Sequence, residues 1–366
     1  MANTSVGYTC PNCGGPLSFS PGAAKVTCPY CDTEFETAKI EEIFARQEKM
    51  AAEAQAAKEA KWHTEGAGGE WSEEEAAAMK AFTCSSCGAE IVSDVNTMAT
   101  ECCYCGNPVM LPSRFNGMLK PDFVIPFKKT KEDAVAQLKE FYKGRWLLPK
   151  AFTAGNRVES IQPMYVPFWL FDSEVTASAE FKAESDTVYE TQDERVTETN
   201  VYRCDRRGKM RFRRIPVDGS NKMDDTYMES IEPYDYGDLK PFSSAYMAGC
   251  LADKYDVDAE AAAPRADERV RKSAVGVLED TVEGYMRREL VNDVINKGEG
   301  SVSYAMAPVW ILTTRYEDKP YTFMMNGQTG KMVGSLPWDK NKANLYWAGS
   351  TAVLTAVFYF LVRMFV

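Results

Sequence analysis

The sequence predicts an α+β protein with two N-terminal four-cysteine zinc ribbons, a helical spacer, a mixed α+β domain of two pseudo-repeated halves and one C-terminal transmembrane helix. Three observations predict it. C-x2-C knuckles fall into two sets, Cys10, Cys13, Cys28 and Cys31, then Cys84, Cys87, Cys102 and Cys105, with fourteen residues between the knuckles of each set. Residues 343–362 carry no charged side chain over twenty positions. The chain between is globular in composition, 45% apolar and 26% charged, with stretches of both helical and strand periodicity. The expected boundaries are ribbon 1 over 1–37, the spacer over 38–80, ribbon 2 over 81–116, the α+β domain over 117–342 and the membrane helix over 343–366.

Four thiolates surround a zinc ion tetrahedrally at about 2.3 Å, and two knuckles on facing turns supply that geometry. Gly14 follows the first pair and permits its tight backbone. Residues 16–19 and 25–27 read as short hairpin strands. The recurrence at identical spacing supports both sets, so two structural Zn2+ ions are expected. A rubredoxin-like iron site uses similar knuckles and stays open, whereas disulfides do not suit a reducing compartment. A site closed by four cysteines holds a module together and does no chemistry. Cys103 falls outside the register and reads as a bystander. Lys25 stands against Asp32, Glu34 and Glu36 in ribbon 1, and Arg114 against Glu90, Asp94 and Glu101 in ribbon 2. Nucleic-acid binders draw most of their affinity from phosphate neutralisation, which such ribbons cannot supply; protein docking fits better. The net charge of −11 points the same way for the whole chain.

The spacer is rich in Ala, Glu, Lys and Gln, with a thin apolar stripe at Ile40, Ile43 and Phe44. Gly66, Gly68 and Gly69 interrupt it, and Ser72 with Glu75 forms a capping box for a second short helix. His63, the single histidine, reads as a surface residue. In the α+β domain, residues 123–127 read as a strand and 131–142 as an amphipathic helix. Residues 162–184 are aromatic and then alternating, with Val175, Ala177, Ala179 and Phe181 on one face. Pro167-Phe-Trp169-Leu matches Pro308-Val-Trp310-Ile, which is the basis for two pseudo-repeated halves. Asn326-Gly327 reads as a hairpin turn. Residues 264–295 read as the longest amphipathic helix, with Pro264 in its first turn.

Residues 203–214 hold seven basic side chains and one acidic, and residues 224–238 hold six acids and no base. Arg207-Gly208-Lys209 reads as a turn between strands. Arg203, Arg206, Arg207, Lys209, Arg211, Arg213 and Arg214 are therefore candidates for a lipid- or partner-binding hairpin, unless the acidic run compensates them.

Twenty uncharged residues of helix span about 30 Å, the thickness of a bilayer's hydrocarbon core. Tyr346 and Trp347 lie at its near edge, where amphipathic rings favour headgroups. The alternative is a buried C-terminal core helix. The N-terminus lacks a basic region and an apolar run, and Lys331, Lys340 and Lys342 precede the span against Arg363 after it. The expected arrangement is single-pass in the cell membrane with the bulk of the chain cytoplasmic. No Walker A, G-x-S-x-G or H-E-x-x-H sequence is present, and Cys204 and Cys250 have no histidine to activate them, which argues against an enzyme.

The stretches YTCPNCGGPL…CPYC, FTCSSCGAE…CCYCGNPV, PMYVPFWLFD, PVDGSNKMDD…IEPYD and NGQTGKMVG resemble one bacterial family, the transcription-factor-IIB-type zinc-ribbon membrane proteins, often labelled primosomal or helicase-like. The resemblance covers nearly the whole chain and carries over the eight knuckle cysteines as ligands. Members occur with SPFH-domain (flotillin-like), TPM-domain and PspA-type phage-shock proteins. It therefore implies a membrane-stress adaptor that recruits protein partners at the inner face of the membrane. The motifs give no support to the helicase label. The alternative is a membrane-tethered nucleic-acid-binding protein using the ribbons and the basic run.

Overall fold

A computed structural model describes residues 8–11, 16–17, 25–40, 42–45, 49, 61–94, 102–105, 110–113, 118–154, 160–190, 194–222, 225–317 and 319–365. The protein is mixed α+β and divides into two units. One comprises Met1–Lys61, Ser173–Phe212 and Glu268–Gly300, the other Trp62–Asp172, Arg213–Asp267 and Ser301–Val366.

The second unit is built on two long strands buried on both faces. Along Ser160–Glu190, Met164, Val166, Phe168 and Leu170 enter one core, while Tyr165, Trp169 and Phe171 enter another. Along Arg287–Tyr316, Ala305, Ala307, Val309 and Ile311 share the first core with that strand. Burial on both faces explains why these stretches read as continuous aromatic and aliphatic runs rather than alternating ones. Lys319–Asn326 pairs along the second strand from Val309↔Asn326 to Tyr316↔Lys319.

The two halves expected from the Pro-x-Trp phrases make matching hydrogen bonds. Gly219 N–H donates to Pro167 O at 3.0 Å, and Gly327 N–H donates to Pro308 O at 2.8 Å. The Gly219 carbonyl accepts from Asp256 and Val257 N–H; the Gly327 carbonyl accepts from Lys128 and Lys129 N–H. The Trp169 indole donates to Val257 O at 2.8 Å and the Trp310 indole to Lys129 O at 2.9 Å. Each receiving loop then opens a helix. Thr130 and Asp133 form the capping box of Lys131–Tyr142, and Asp258 caps Ala259–Asp280 by accepting from Ala261 N–H at 2.7 Å. The halves are crossed. Phe123–Val124, which precedes the first helix, pairs in parallel with Ala305 and Met306, and Leu251–Asp253, which precedes the second, pairs in parallel with Met164 and Tyr165.

Several expectations change. The helix read over 264–295 runs from Ala259 to Asp280, so Pro264 lies inside it, and residues 287–295 are strand. Gly284, at a φ of 86°, turns the chain between them. The spacer does not extend to residue 80. Trp62, Ala67 and Met79 are buried in the core of the second unit, and the Trp62 indole donates to Asp267 at 2.9 Å. The capping box of Ser72 and Glu75 is present, and His63 is exposed. Nor does ribbon 1 end at 37: Ile40 is fully buried and Phe44 packs with it against Leu17, Val26, Cys10 and Cys28.

The helix Lys340–Phe365 is long and apolar enough to cross a membrane. None of residues 344–363 is buried. Leu354, Phe358 and Phe360 are 67%, 68% and 70% exposed, which removes the alternative of a buried core helix.

Candidate metal centres

The second cysteine set is assembled by three strands of one sheet. Met79–Cys84 pairs antiparallel with both Glu90–Asp94 and Met110–Ser113. The turn after the first strand is closed by Cys84 N–H to Ala89 O and Gly88 N–H to Cys84 O, both 2.9 Å. Gly88 sits at a φ of 72°, a left-handed position that glycine takes without steric cost. This turn carries Cys84 and Cys87, and Cys102 and Cys105 complete the group. The sulfurs of all four lie within 4.8 Å of one another. Cys84 to Cys105 and Cys87 to Cys102 are each 3.6 Å. A tetrahedron of sulfurs about 2.3 Å from a metal has edges of about 3.8 Å, so the residues fit a four-thiolate ion, zinc or iron.

The thiols are unequal. The Cys103 thiol and the backbone N–H groups of Cys105 and Tyr104 hold Cys102 down to about 4, against burial. Burial pushes Cys87 up to about 12, and the neighbouring thiols add to the rise. Crowded thiolates repel one another, and a dication at their centre removes that cost.

The first set uses the same turn. Cys28 N–H donates to Thr33 O at 2.9 Å and Asp32 N–H to Cys28 O at 3.0 Å. Asp32 occupies the position of Gly88, at a φ of 56°. Tyr30 N–H points at the Cys28 sulfur, 3.5 Å away, and Cys10 lies 3.7 Å from Cys31. Cys10, Cys28 and Cys31 form the group, while Cys13 and Gly14 lie outside the described residues. The core of this ribbon consists of Cys10, Leu17, Val26, Cys28 and Ile40 with Cys31, Phe35 and Phe44 packed against it.

Ribbon 2, in contrast, is not a free module. Its strand Glu90–Asp94 pairs antiparallel with Leu251–Asp253, the strand that pairs in turn with Met164 and Tyr165. Cys103 lies outside the group of four, as its register predicts, and is a core residue. It is 2% exposed, and its thiol meets the Met164 sulfur at 3.8 Å in the core that holds Phe82 and Ile91. The cysteine spacing gave no sign of this; only the adjacency of Cys102 and Cys103 hinted at it.

The basic run does not form a hairpin. Residues 203–214 lie within the strand Arg195–Asp218, which pairs with Ser160–Glu190. Gly208 is mid-strand under Leu278, close enough for an added Cβ to meet the leucine at 3.6 Å. Arg203 pairs with Glu180 at 2.8 Å and with Asp205. Arg206 donates to the Thr281 hydroxyl at 3.1 Å. Arg211 pairs with Glu174, and Arg214 donates to Tyr236 O. Arg207, Lys209 and Arg213 are exposed on the same strand. Acids on the neighbouring strand, more than the run at 224–238, answer these charges. The centre of the stretch PVDGSNK, residues 217–220, is interior: Ser220 donates to Asp253 at 2.5 Å, and Asp218, Ser220 and Asp253 are all buried.

No protein-family profile matches the chain, and no solved structure matches it. A curated Bacillus subtilis (strain 168) protein, described as the uncharacterized protein YdjG, is 32% identical over 348 residues, covering 94% of each chain.

Proposed function

The chain belongs to the family of Bacillus subtilis YdjG, and on that premise we propose that it is a membrane-anchored zinc-ribbon adaptor. It holds protein partners at the cytoplasmic face of the cell membrane and serves in the membrane-stress response. The observation that carries this reading is the closure of the second centre by four cysteines on a strand system continuous with the main sheet. Such a donor set leaves no open position, so the ion would fix a docking surface rather than act on a substrate. Zinc at Cys84, Cys87, Cys102 and Cys105, and at Cys10, Cys13, Cys28 and Cys31, would supply the bonds that hold each pair of knuckles together. The exposed apolar helix supports the anchor. The family resemblance read from the sequence supplies the partner class: SPFH-domain, TPM-domain or PspA-type proteins. The engagement of Arg203, Arg206, Arg211 and Arg214 within the protein supports a nucleic-acid surface less well.

The test is nuclease-treated affinity purification from native membranes, comparing the full chain with a form ending at Asn344, with metal analysis of both. We expect zinc at both cysteine groups and one such membrane protein retained in stoichiometric amount only by the anchored form. Recovery of nucleic acid when nuclease is omitted, with no protein retained, overturns the reading.

A further inference from the structure

Four exposed aromatic residues flank the base of the helix Lys340–Phe365, and two of them, Trp146 and Tyr346, are in ring contact. Trp146, Trp338, Tyr346 and Trp347 are 56%, 61%, 54% and 68% exposed. They come from separate stretches of chain. Trp146 lies on the loop after Lys131–Tyr142, with its ring 4.8 Å from that of Tyr346. Trp338 precedes the start of Lys340–Phe365. The base of that helix is fixed to the same loop. Asp339 N–H donates to Leu147 O at 2.8 Å, and the Lys342 ammonium donates to Leu148 O at 2.7 Å. The Asp339 carboxylate caps the first turn through Asn341 and Lys342 N–H, at 3.0 and 3.1 Å. Ala343 is buried beneath it. The helix therefore does not begin on a slack linker, and the level of Tyr346 is also the level of Trp146.

We infer that this face is a membrane-contact surface: Trp146 and Trp338 sit in the headgroup layer beside Tyr346 and Trp347, so the folded unit rests on the bilayer. The inference rests on the helix being a membrane span. Indole and phenol rings pair an apolar body with a polar tip, which suits them to the boundary between headgroups and hydrocarbon. Left in water, three exposed indoles and a phenol around the base of one helix are large apolar groups without a use. Arg145, whose guanidinium lies 4.2 Å over Phe141, and Lys340 are exposed among the rings and match anionic headgroups. The bilayer is the occupant because the helix at the centre of the patch already commits this face to it.

The full chain in nanodiscs of phosphatidylcholine and phosphatidylglycerol, with a spin label on a share of the choline headgroups, gives the test through tryptophan quenching. Of the seven tryptophans, Trp62, Trp169 and Trp310 are buried. W146F and W338F should each remove about one third of the headgroup-quenched signal, since Trp347 is the third indole at that depth. Thermal unfolding unchanged from the parent confirms that both variants are folded. Quenching that falls in W347F but not in W146F or W338F overturns the contact surface while leaving the span intact. Quenching that falls in none of the three overturns the span itself, and the contact surface with it.

Discussion

Replacing Cys84 by Ser should unfold far more than a ribbon, whereas replacing Cys28 by Ser should not. The strands Met79–Cys84 and Glu90–Asp94 bury Met79, Phe82, Ile91 and Val92 in cores that also contain Val124, Met164 and Leu251. At about 1.5–3 kcal/mol for each large apolar side chain, those four amount to about 6–12 kcal/mol of gross burial. Residual burial in the unfolded chain lowers that figure, yet it matches the ~5–15 kcal/mol by which a whole domain is stable. Cys28, in contrast, packs with Leu17, Val26 and Ile40 in a core of its own. All seven tryptophans lie at or beyond Trp62, so intrinsic fluorescence reports on the rest of the chain without interference from ribbon 1. In a melt followed this way, C84S should lower the midpoint by more than about 10 °C or abolish the transition, while C28S should move it by less than about 2 °C. Each variant should also lose one metal ion. A C84S protein that loses its ion yet melts with the parent would refute the idea that the second centre is built into the main sheet.

Three further outcomes are expected. An added Cβ at Gly327 would lie 2.6 Å from Phe127 and 2.9 Å from Pro308, whereas at Gly219 the nearest atom, on Pro167, is 3.2 Å away; in chemical denaturation Gly327→Ala should cost about 1–3 kcal/mol and Gly219→Ala less. Burial pushes the Asp253 carboxyl up to about 7, from 3.8. The folded protein then binds that proton more tightly than the unfolded chain, so stability should fall as pH rises from about 4 to about 7, and Asp253→Asn should flatten the slope. Arg203→Ala removes a charge-assisted bond to Glu180, whose side chain is 11% exposed, and should cost about 1–3 kcal/mol in denaturant unfolding. Arg211→Ala faces a Glu174 that is 69% exposed and should cost under about 1 kcal/mol.

The cysteine sets were readable because a closed metal site needs its ligands at short, fixed spacing. The helix Lys131–Tyr142 was readable because both its capping box and its apolar face are local. The second helix was misplaced for an equally local reason. Pro264 resembles a first-turn proline, but Asp258 supplies the cap. Residues 287–295 carry apolar groups compatible with either period, and pairing within the sheet decides for strand. Gly208 resembles a turn residue; it lies within the strand Arg195–Asp218, paired with Ser160–Glu190 and beside Leu278, seventy positions away in the chain. Contacts of that reach leave no mark in a short window, and the loss of the expected basic hairpin follows from it.

The crossing of the two halves bears on how the protein is made. Phe123 and Val124 pair with Pro241 and Lys240 on one side, but on the other side they find partners at Ala305 and Met306, and Trp62 finds its acceptor at Asp267. A growing chain emerges from the ribosome in order, so the first half waits, with its sheet surface open, until most of the second has been synthesised. The apolar tail is the next segment to appear. Completion of the sheet and emergence of the apolar helix thus fall close together in synthesis, and a chain terminated before residue 305 has neither.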